Sequence, residues 1–274
     1  MRPRSGPELP ALGLGTWQMG ESARRRDAEV RALRLGLELG VTLIDTAEMY
    51  ASGGAERVVA RAIEGRRDEV LLVSKVLPQN ASRTGTLRAA ERSLKRLETD
   101  RIDLYLLHWE GSHGLDETYE AFERLVEQGK IRSYGVSNFD TDAMESSERL
   151  PAGRKVAANQ VIYNLARRGI EYSLLRWCRE RDVAVMAYSP LEQGRIPASR
   201  AVEAVARRHG CSPYQAALAW TLREPGVVAI PKASRLEHVR ENVAAREIRL
   251  GAEDLAELDR DFPPPRRETP LEML

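Results

Sequence analysis

The sequence contains few residues of the types that build metal centres or disulfide frameworks. It has only two cysteines and four histidines in 274 residues. Cys178 and Cys211 lie far apart in helix-like contexts and lack the paired spacing of a zinc motif. We therefore expect two free thiols, of the kind typical of reducing compartments, and no metal site.

Long apolar runs are also absent. No segment approaches the roughly 18 consecutive apolar residues that a membrane-spanning helix needs, and residues 1–13 lack the apolar core of a signal peptide. The sequence thus predicts a cytoplasmic protein that does not bind a membrane.

No basic stripe is present, because 42 basic and 41 acidic residues leave a formal net charge of +1. Arg24–Arg26 form the longest basic run near the N-terminus, but acidic residues follow within three positions. This pattern indicates solvated helix faces and predicts no nucleic-acid partner.

Lysine is scarce as well. Only five of the 42 basic residues are lysines, so arginine is the usual cation of this chain. Two of the five, Lys75 and Lys232, follow apolar β-rich runs, where a solvating cation is unexpected. These two lysines are therefore candidates for a functional role.

Short β-rich runs alternate with amphipathic helical segments along the whole chain. The predicted strands are Gly13–Thr16, Thr42–Asp45, Val70–Val76, Leu104–His108, Arg132–Ser137, Ala157–Tyr163, Ala184–Ser189 and Val227–Pro231. The predicted helices are Asp27–Leu39, Glu56–Ile63, Thr86–Leu97, Leu115–Glu127, Ile170–Arg181, Ala201–Arg208, Pro213–Leu222, Leu236–Ala245 and Ala252–Arg260. This alternation predicts a parallel sheet, either doubly wound or closed. Because no linker interrupts it, we expect one domain over residues 1–274, an α/β fold with a single (β/α)8 TIM barrel, an N-terminal β-hairpin and a short C-terminal tail.

A glycine-rich segment near the N-terminus resembles a dinucleotide-binding loop only superficially. Gly13 and Gly15 form G-x-G, but Gln18 stands where the third glycine belongs. The acidic residue after the next strand, Asp45, lies roughly 30 residues further on, whereas the Rossmann fingerprint places it about 20 residues on. We therefore reject a Rossmann domain.

Polar or titratable side chains follow every predicted strand from the second to the eighth. They are Asp45 and Tyr50, Lys75, His108, Ser137 and Asn138, Gln160, Tyr188 and Ser189, and Lys232. Each one alone has an ordinary explanation, such as a turn, a helix cap or a structural histidine. Because a TIM barrel brings the carboxyl ends of its strands to one rim, the complete set predicts a functional site there.

Half of this set suits proton transfer to a carbonyl oxygen. The phenol of Tyr50 has an ordinary pKa of about 10, and a nearby Lys75 ammonium would lower it. Asp45 would keep Lys75 charged and in place, and His108 could orient the carbonyl. The other half suits a bound cofactor: Ser137, Asn138 and Gln160 can bond a carboxamide, Tyr188 can stack on a flat ring, and Lys232 can bind a phosphate.

The chain resembles the aldo/keto reductase superfamily, and within it bacterial members described as methylglyoxal reductases. The motifs that carry this resemblance are GLGTW (13–17), LIDTAEMYASGGAE (43–56), VSK (73–75), LYLLHW (104–109), GKIRSYGVSNF (129–139), NQVIYN (159–164), AYSPL (187–191), IPKAS (230–234) and HVREN (238–242). Their content and order are highly specific, and they cover nearly the whole chain.

The resemblance implies NADPH-dependent reduction of small aldehydes and ketones, methylglyoxal-like or aromatic, with Tyr50 as the proton donor. The catalytic tetrad would be Asp45, Tyr50, Lys75 and His108, and the substrate pocket would contain Trp17, Tyr50, His108 and Trp109. The implied cofactor residues are Gly15, Thr16, Trp17, Asp45, Ser137, Asn138, Gln160, Tyr188, Ser189, Pro190, Leu191, Gln193, Ile230, Lys232, Ala233, Ser234, His238 and Asn242. Family habit also implies a monomer.

Two departures from the family pattern alter these expectations. Ala233 and His238 stand where the well-studied animal reductases have a serine and an arginine. Because Lys232 and Arg235 can compensate for that loss, we expect NADPH to be preferred and NADH to be a weaker alternative. The tail after Asp261 is short, which predicts an open, permissive pocket.

The sequence also leaves two other functions open. One is a Schiff-base lyase barrel that uses Lys75 or Lys232 as its nucleophile. The other is a non-catalytic, NADP-sensing binding subunit, as some family members are.

Overall fold

Eight parallel strands form the centre of the molecule. The computed structural model describes residues 1–274, and the strands pair in sequence order. They are β1 (Gly13–Gly15), β2 (Leu43–Asp45), β3 (Leu71–Val76), β4 (Ile102–Leu107), β5 (Ile131–Ser137), β6 (Ala158–Ile162), β7 (Ala184–Tyr188) and β8 (Val227–Ala229). Parallel bridges from Leu12 to Ala229 and from Gly15 to Lys232 bring β8 back to β1. The predicted (β/α)8 barrel is confirmed.

Ten helices connect and cover the strands. They are α1 (Arg26–Glu38), α2 (Gly54–Ile63), α3 (Arg83–Leu97), α4 (Leu115–Glu127), α5 (Thr141–Glu148), α6 (Leu174–Glu180), α7 (Arg200–Arg208), α8 (Pro213–Leu222), α9 (Leu236–Ala244) and α10 (Ala252–Asp261). Sequence patterning gave no bounds for α5, which buries only Met144 and Ser147 and so has almost no apolar face. It begins because the Asp140 side chain accepts a hydrogen bond from the Ala143 amide.

The barrel interior is filled by the inward-facing side chains of the strands. Leu43, Val73, Leu106 and Met186 belong to one buried cluster inside the barrel. Side chains two positions apart on a strand share a face, so Asp45, Lys75, His108 and Tyr188 point inward one layer above these four residues. The strand period alone therefore places the polar strand ends on top of the apolar core.

The N-terminal segment closes the opposite end of the barrel, but it is not the β-hairpin that we expected. Met1 and Leu9 exchange backbone hydrogen bonds, yet neither lies in a strand. Leu9 is buried in the interior cluster beside Leu43 and Leu104. A loop with one buried leucine covers this end of the barrel instead. Pro3 and Pro7 have no backbone N–H, so the segment has few donors for the hydrogen bonds of a β-ladder.

The C-terminal tail returns across the barrel after α10. Ser173 Oγ donates a hydrogen bond to Glu268 at 2.7 Å, and Arg167 pairs with Glu272 at 2.8 Å. These contacts direct the last residues toward the carboxyl ends of the strands. Elsewhere in the molecule, none of the helices combines the length and the apolar character needed to cross a membrane.

Candidate active site

A cavity of about 790 Å³ opens at the carboxyl ends of the strands. Nineteen of the predicted site residues line it: Gly15, Thr16, Trp17, Asp45, Tyr50, His108, Trp109, Ser137, Asn138, Gln160, Tyr188, Ser189, Pro190, Leu191, Gln193, Ile230, Lys232, His238 and Asn242. Lys75 does not line the cavity itself but lies behind Tyr50, and its ammonium donates a hydrogen bond to the Tyr50 hydroxyl. Ala233 and Ser234, in the turn between β8 and α9, do not line it.

Lys75 is the centre of the buried hydrogen-bond network. Its ammonium nitrogen donates to Asp45 Oδ2 at 2.8 Å, to the Thr46 carbonyl at 2.8 Å and to Tyr50 Oη at 3.1 Å. The side chain is fully buried. All three N–H groups thus have partners, which is what a buried ammonium requires.

The surroundings keep Lys75 charged. Burial alone would lower the pKa of Lys75, but the Asp45 carboxylate and the Tyr50 hydroxyl raise it above its usual value. The other oxygen of Asp45 accepts a hydrogen bond from Gln160 Nε2 at 2.7 Å. Asp45 therefore neutralises the lysine while both of its own oxygens stay hydrogen-bonded.

Tyr50 remains a phenol over a wider pH range than the sequence suggested. Lys75 lowers the pKa of Tyr50, as expected, but burial raises it by more, and the net direction is upward. The group is consequently protonated at neutral pH. The ammonium at 3.1 Å is placed to stabilise the phenolate only once the proton has left.

His108 is a neutral ring at this site. Burial, and to a smaller extent the Lys75 charge, lower the pKa of His108 to about 2. Its Nδ1 is buried without a hydrogen-bond partner, and its ring lies edge-on to Tyr50 at a centroid distance of 5.8 Å. The imidazole can therefore hydrogen-bond a ligand beside the phenol without carrying a charge.

An unusual backbone conformation holds Tyr50 at the cavity. Tyr50 begins a short 3₁₀ turn in which Ala51 and Ser52 have φ values of 50° and 51°, and Gly53 follows at 80°. The Trp17 ring packs against Tyr50 at 5.0 Å. Two consecutive left-handed residues other than glycine are costly and are found where function requires them.

The second half of the cavity presents an amide-rich surface beside a tyrosine ring. Tyr188 donates to Asn138 Oδ1 at 3.0 Å, and Asn138 Nδ2 donates to the His108 carbonyl at 3.1 Å. Gln160 uses its amide nitrogen on Asp45, so its carbonyl oxygen remains for a ligand. These fixed amides next to the half-buried Tyr188 ring fit the carboxamide and the flat ring of a nicotinamide.

The loop after β7 is held in a strained conformation at the rim. Ser189, Glu192 and Gln193 all have positive φ values, between 47° and 54°. The Glu192 carboxylate is bonded by Asn164 Nδ2 at 2.8 Å and by Arg167 at 3.0 Å. This anchoring keeps backbone groups of the loop directed along the cavity.

Lys232 supplies the positive charge at the other end of the cavity. It follows β8, shortly before the first turn of α9, and it is half-buried. Burial lowers the pKa of Lys232, while Glu29 of α1 opposes this shift. A cation close to a helix N-terminus fits a phosphate group, and the cavity as a whole fits NADPH.

Sequence reasoning missed eight residues that line the cavity: Gln18, Met49, Gly194, Tyr214, Pro231, Glu241, Met273 and Leu274. Extending each motif by one position would have found five of them, Gln18, Met49, Gly194, Pro231 and Glu241, whereas Tyr214 of α8 adjoins no predicted site residue. Met273 and Leu274 carry no such signal, because the long-range contacts of the tail bring them to the cavity. The rim is therefore less open on this side than the short tail suggested.

Comparison with known proteins agrees with this geometry. The model of the aldo/keto reductase family matches residues 11–260. The chain is 52% identical to methylglyoxal reductase YeaE of Escherichia coli over 97% of this chain and 95% of that protein. It is 32% identical to glyoxal reductase of Bacillus subtilis over 93% and 90% of the two chains.

Solved structures give the same result. An aldo/keto reductase from Klebsiella pneumoniae, crystallised with NADP and acetate, superposes with a TM-score of 0.97 at 51% identity, covering 100% of this chain and 99% of that one. With the barrel, the buried network at its rim and the family match over most of its length, the chain belongs to the aldo/keto reductase family of NAD(P)H-dependent oxidoreductases.

Proposed function

We propose that this enzyme uses NADPH to reduce small aldehydes and ketones, methylglyoxal-like or aromatic, and that Tyr50 is the proton donor. The observation that carries this proposal is the buried chain from Asp45 through Lys75 to Tyr50, which ends in the cavity wall. The names of the relatives support the substrate class, since two of them are a methylglyoxal reductase and a glyoxal reductase.

The residues around the cavity divide the chemistry between them. Bound NADPH supplies a hydride to the carbonyl carbon, so that negative charge develops on the carbonyl oxygen. Tyr50 donates its proton to that oxygen, and Lys75 stabilises the phenolate that remains. Neutral His108 hydrogen-bonds the same oxygen and orients it. Trp17 and Trp109 form apolar walls that exclude water from the reacting groups.

The cofactor assignment rests on the second half of the cavity. Ser137, Asn138 and Gln160 would hold the carboxamide, and Tyr188 would lie against the ring. Lys232 would bind the phosphate of NADPH that NADH lacks. Ala233 offers no hydroxyl at that end, so NADH is expected to serve as a weaker alternative. Two family structures crystallised with NADP or NADPH support this choice.

The experiment that tests the function is NADPH oxidation, followed by absorbance, against a panel of small carbonyl compounds. We expect turnover of methylglyoxal and of aromatic aldehydes. Tyr50→Phe should lower kcat by about 10²- to 10⁴-fold, because one positioned proton donor contributes that much. NADPH affinity should be retained, since the ring remains. A Tyr50→Phe enzyme with near-normal kcat would refute the proton-donor assignment.

The Schiff-base alternative is disfavoured by the state of the lysines. Lys75 is fully buried, triply hydrogen-bonded and kept protonated, so it has no free electron pair for attack. Lys232 lies at the cofactor end, away from His108 and Tyr50. Borohydride trapping of a carbonyl substrate on either lysine would revive this alternative. A monomeric state and a cytoplasmic location stay predictions.

A further inference from the structure

Two buried glutamates stand on either side of Tyr50 in the sequence. Glu48 precedes it by two residues, and Glu56 follows it by six. Neither touches the cavity, and the proton relay described above uses neither. Both carboxylates accept hydrogen bonds from residues in or next to β3. One donor comes before Lys75 in the sequence and the other comes after it.

Glu56 attaches the Tyr50 segment just before Lys75. Its side chain is fully buried although it lies in the first turn of α2. One carboxylate oxygen accepts a hydrogen bond from Ser74 Oγ at 2.8 Å, and the other pairs with Arg96 Nε at 2.5 Å. Ser74 is the residue directly before Lys75. Glu56 therefore connects the helix after Tyr50 with the strand that carries the lysine.

Arg96 also supports the strained turn itself. A methyl group on Gly53 would lie 2.4 Å from Arg96 Cδ and Nε, so the guanidinium side chain packs directly on the Gly53 backbone. Gly53 ends the run of left-handed residues that follows Tyr50. The ion pair of Glu56 and Arg96 thus packs against the backbone of this turn and restricts its movement.

Glu48 attaches the same segment just after Lys75. One of its oxygens accepts hydrogen bonds from the Leu77 amide and from Asn80 Nδ2, both at 2.9 Å. The other oxygen lies 3.4 Å from Arg92 on α3. Leu77 follows the last residue of β3, so Glu48 and Glu56 bond to the chain three residues apart, with Lys75 between the two attachment points.

The energetics explain why such attachments are needed. Each left-handed residue other than glycine is strained, and the turn has two of them, Ala51 and Ser52. Without compensation, the Tyr50 segment would relax and move the phenol away from Lys75. The attachments of Glu48 and Glu56 oppose that relaxation, because moving the segment would leave buried carboxylate oxygens without their hydrogen-bond partners.

We propose that Glu48 and Glu56 are positioning residues that clamp the Tyr50 segment onto β3 on both sides of Lys75. They act through Ser74, Leu77 and Arg96 and touch neither substrate nor cofactor. This inference rests on the proposed role of Tyr50 as proton donor. The clamp fixes the separation between the Tyr50 hydroxyl and the Lys75 ammonium, which the proton transfer requires.

The test compares Glu56→Gln with a matched control at the other end of the barrel. Asp103 is also a fully buried carboxylate that pairs with arginines, here Arg67 and Arg132, and bonds the β3 backbone, at Leu72. Asp103→Asn should therefore destabilise the fold at least as much as Glu56→Gln without touching the clamp. Both variants are measured by thermal unfolding and by steady-state kinetics with NADPH and methylglyoxal.

We expect Glu56→Gln to lower kcat by about 10- to 100-fold, since a misplacement of about 1 Å can cost that much. The KM for NADPH should stay within about twofold of the parent value, because one Tyr50 contact contributes little to uniform binding. Asp103→Asn should leave kcat within about twofold. Equal kcat values in the two variants at equal stability would overturn the proposal.

Ser74→Ala tests the clamp if Glu56→Gln does not fold. It deletes one hydroxyl, leaves every charge in place and should lower kcat with an unchanged KM for NADPH. Ultraviolet titration of the free protein, with Tyr50→Phe as the reference, should show the Tyr50 phenol ionising at higher pH in Ser74→Ala, because Lys75 is no longer held beside it. A kcat and a titration identical to the parent enzyme would also overturn the proposal.

These outcomes are separate from failure of the proposed function. If the parent enzyme reduces no carbonyl, or if Tyr50→Phe stays active, the function itself is wrong. If the parent is active and Tyr50→Phe is not, while Glu56→Gln behaves like Asp103→Asn, only the clamp is wrong.

Discussion

At the scale of single residues, charge and burial decide what each group at the rim can do. Lys75 stays charged because Asp45 lies 2.8 Å away, and Tyr50 stays protonated because burial outweighs that ammonium. His108 stays neutral for the same reason of burial. Three neighbouring titratable groups are thus kept in three different states, which is the arrangement that the proposed proton donation by Tyr50 needs.

The neutral state of His108 gives a prediction about pH and rate. With a pKa of about 2, the folded ring takes up no proton between pH 8 and 5. We therefore expect the single-turnover rate of reduction, measured by stopped flow at saturating NADPH, to show no decrease from His108 in that range. A decrease with an apparent pKa near 6.5 that vanishes in His108→Asn would contradict this.

The same group predicts how stability depends on pH. The pKa of His108 is lower in the folded chain than its ordinary value of 6.5. Below that value the unfolded chain binds a proton that the folded chain does not, so the free energy of unfolding falls as the pH falls. Urea unfolding between pH 7 and 4 should show a shallower fall in His108→Asn than in the parent protein. An identical pH dependence in both would disprove the assignment.

Lys232 carries the prediction on cofactor choice. Loss of a hydrogen bond to a charged phosphate costs about 1.5–3 kcal/mol, so Lys232→Met should raise the KM for NADPH by about 10- to 100-fold. The KM for NADH should change little, because that cofactor has no phosphate there. Steady-state kinetics with both cofactors measures the ratio. An equal rise in KM for the two cofactors would show that Lys232 binds a group that both of them contain.

At the scale of elements, the turn between β2 and α2 is the most constrained part of the site. Gly53→Ala should destabilise the fold by about 1–3 kcal/mol, because its φ of 80° is left-handed and its new methyl group would meet Arg96. It should also lower kcat, since the turn carries Tyr50. Chemical unfolding and steady-state kinetics measure the two effects.

Gly40→Ala is the matched control for that substitution. Gly40 has a φ of 82° and no atom within 4 Å of the added methyl group. The Gly40→Ala protein should lose stability from backbone strain alone and keep the kcat of the parent enzyme. A Gly53→Ala enzyme with the same kcat as Gly40→Ala would mean that the turn tolerates movement without affecting Tyr50.

At the scale of the whole molecule, the C-terminal tail joins the far side of the barrel to the cavity. Deletion of Met273 and Leu274 should raise the KM for aromatic aldehydes by about 2- to 10-fold, the equivalent of about 1 kcal/mol of apolar contact. The unfolding temperature should hardly change, because the two residues are 51% and 57% exposed. An unchanged KM for every aldehyde tested would show that the tail does not contact the bound aldehyde.

The architecture was largely predictable from the sequence, because strand and helix periodicity are properties of neighbouring residues. The polar residue after each strand could be placed on one rim from the sequence alone, since a parallel barrel brings all the carboxyl ends of its strands to the same side. The bounds of helix α5 were not predicted, because it lacks an apolar face. The prediction of an N-terminal β-hairpin was wrong, because a loop with one buried leucine, Leu9, covers that end of the barrel.

The sequence by itself determined the barrel and predicted which polar residues meet at its rim. Only the tertiary structure showed the net direction of the Tyr50 pKa, the return of Met273 to the cavity and the burial of Glu56. In the sequence Glu56 looks like an ordinary acid at the start of an exposed helix. The reason is physical: Glu56 acquires its role from Ser74 and Arg96, which are 18 and 40 residues away. Local periodicity contains no information about contacts at that separation.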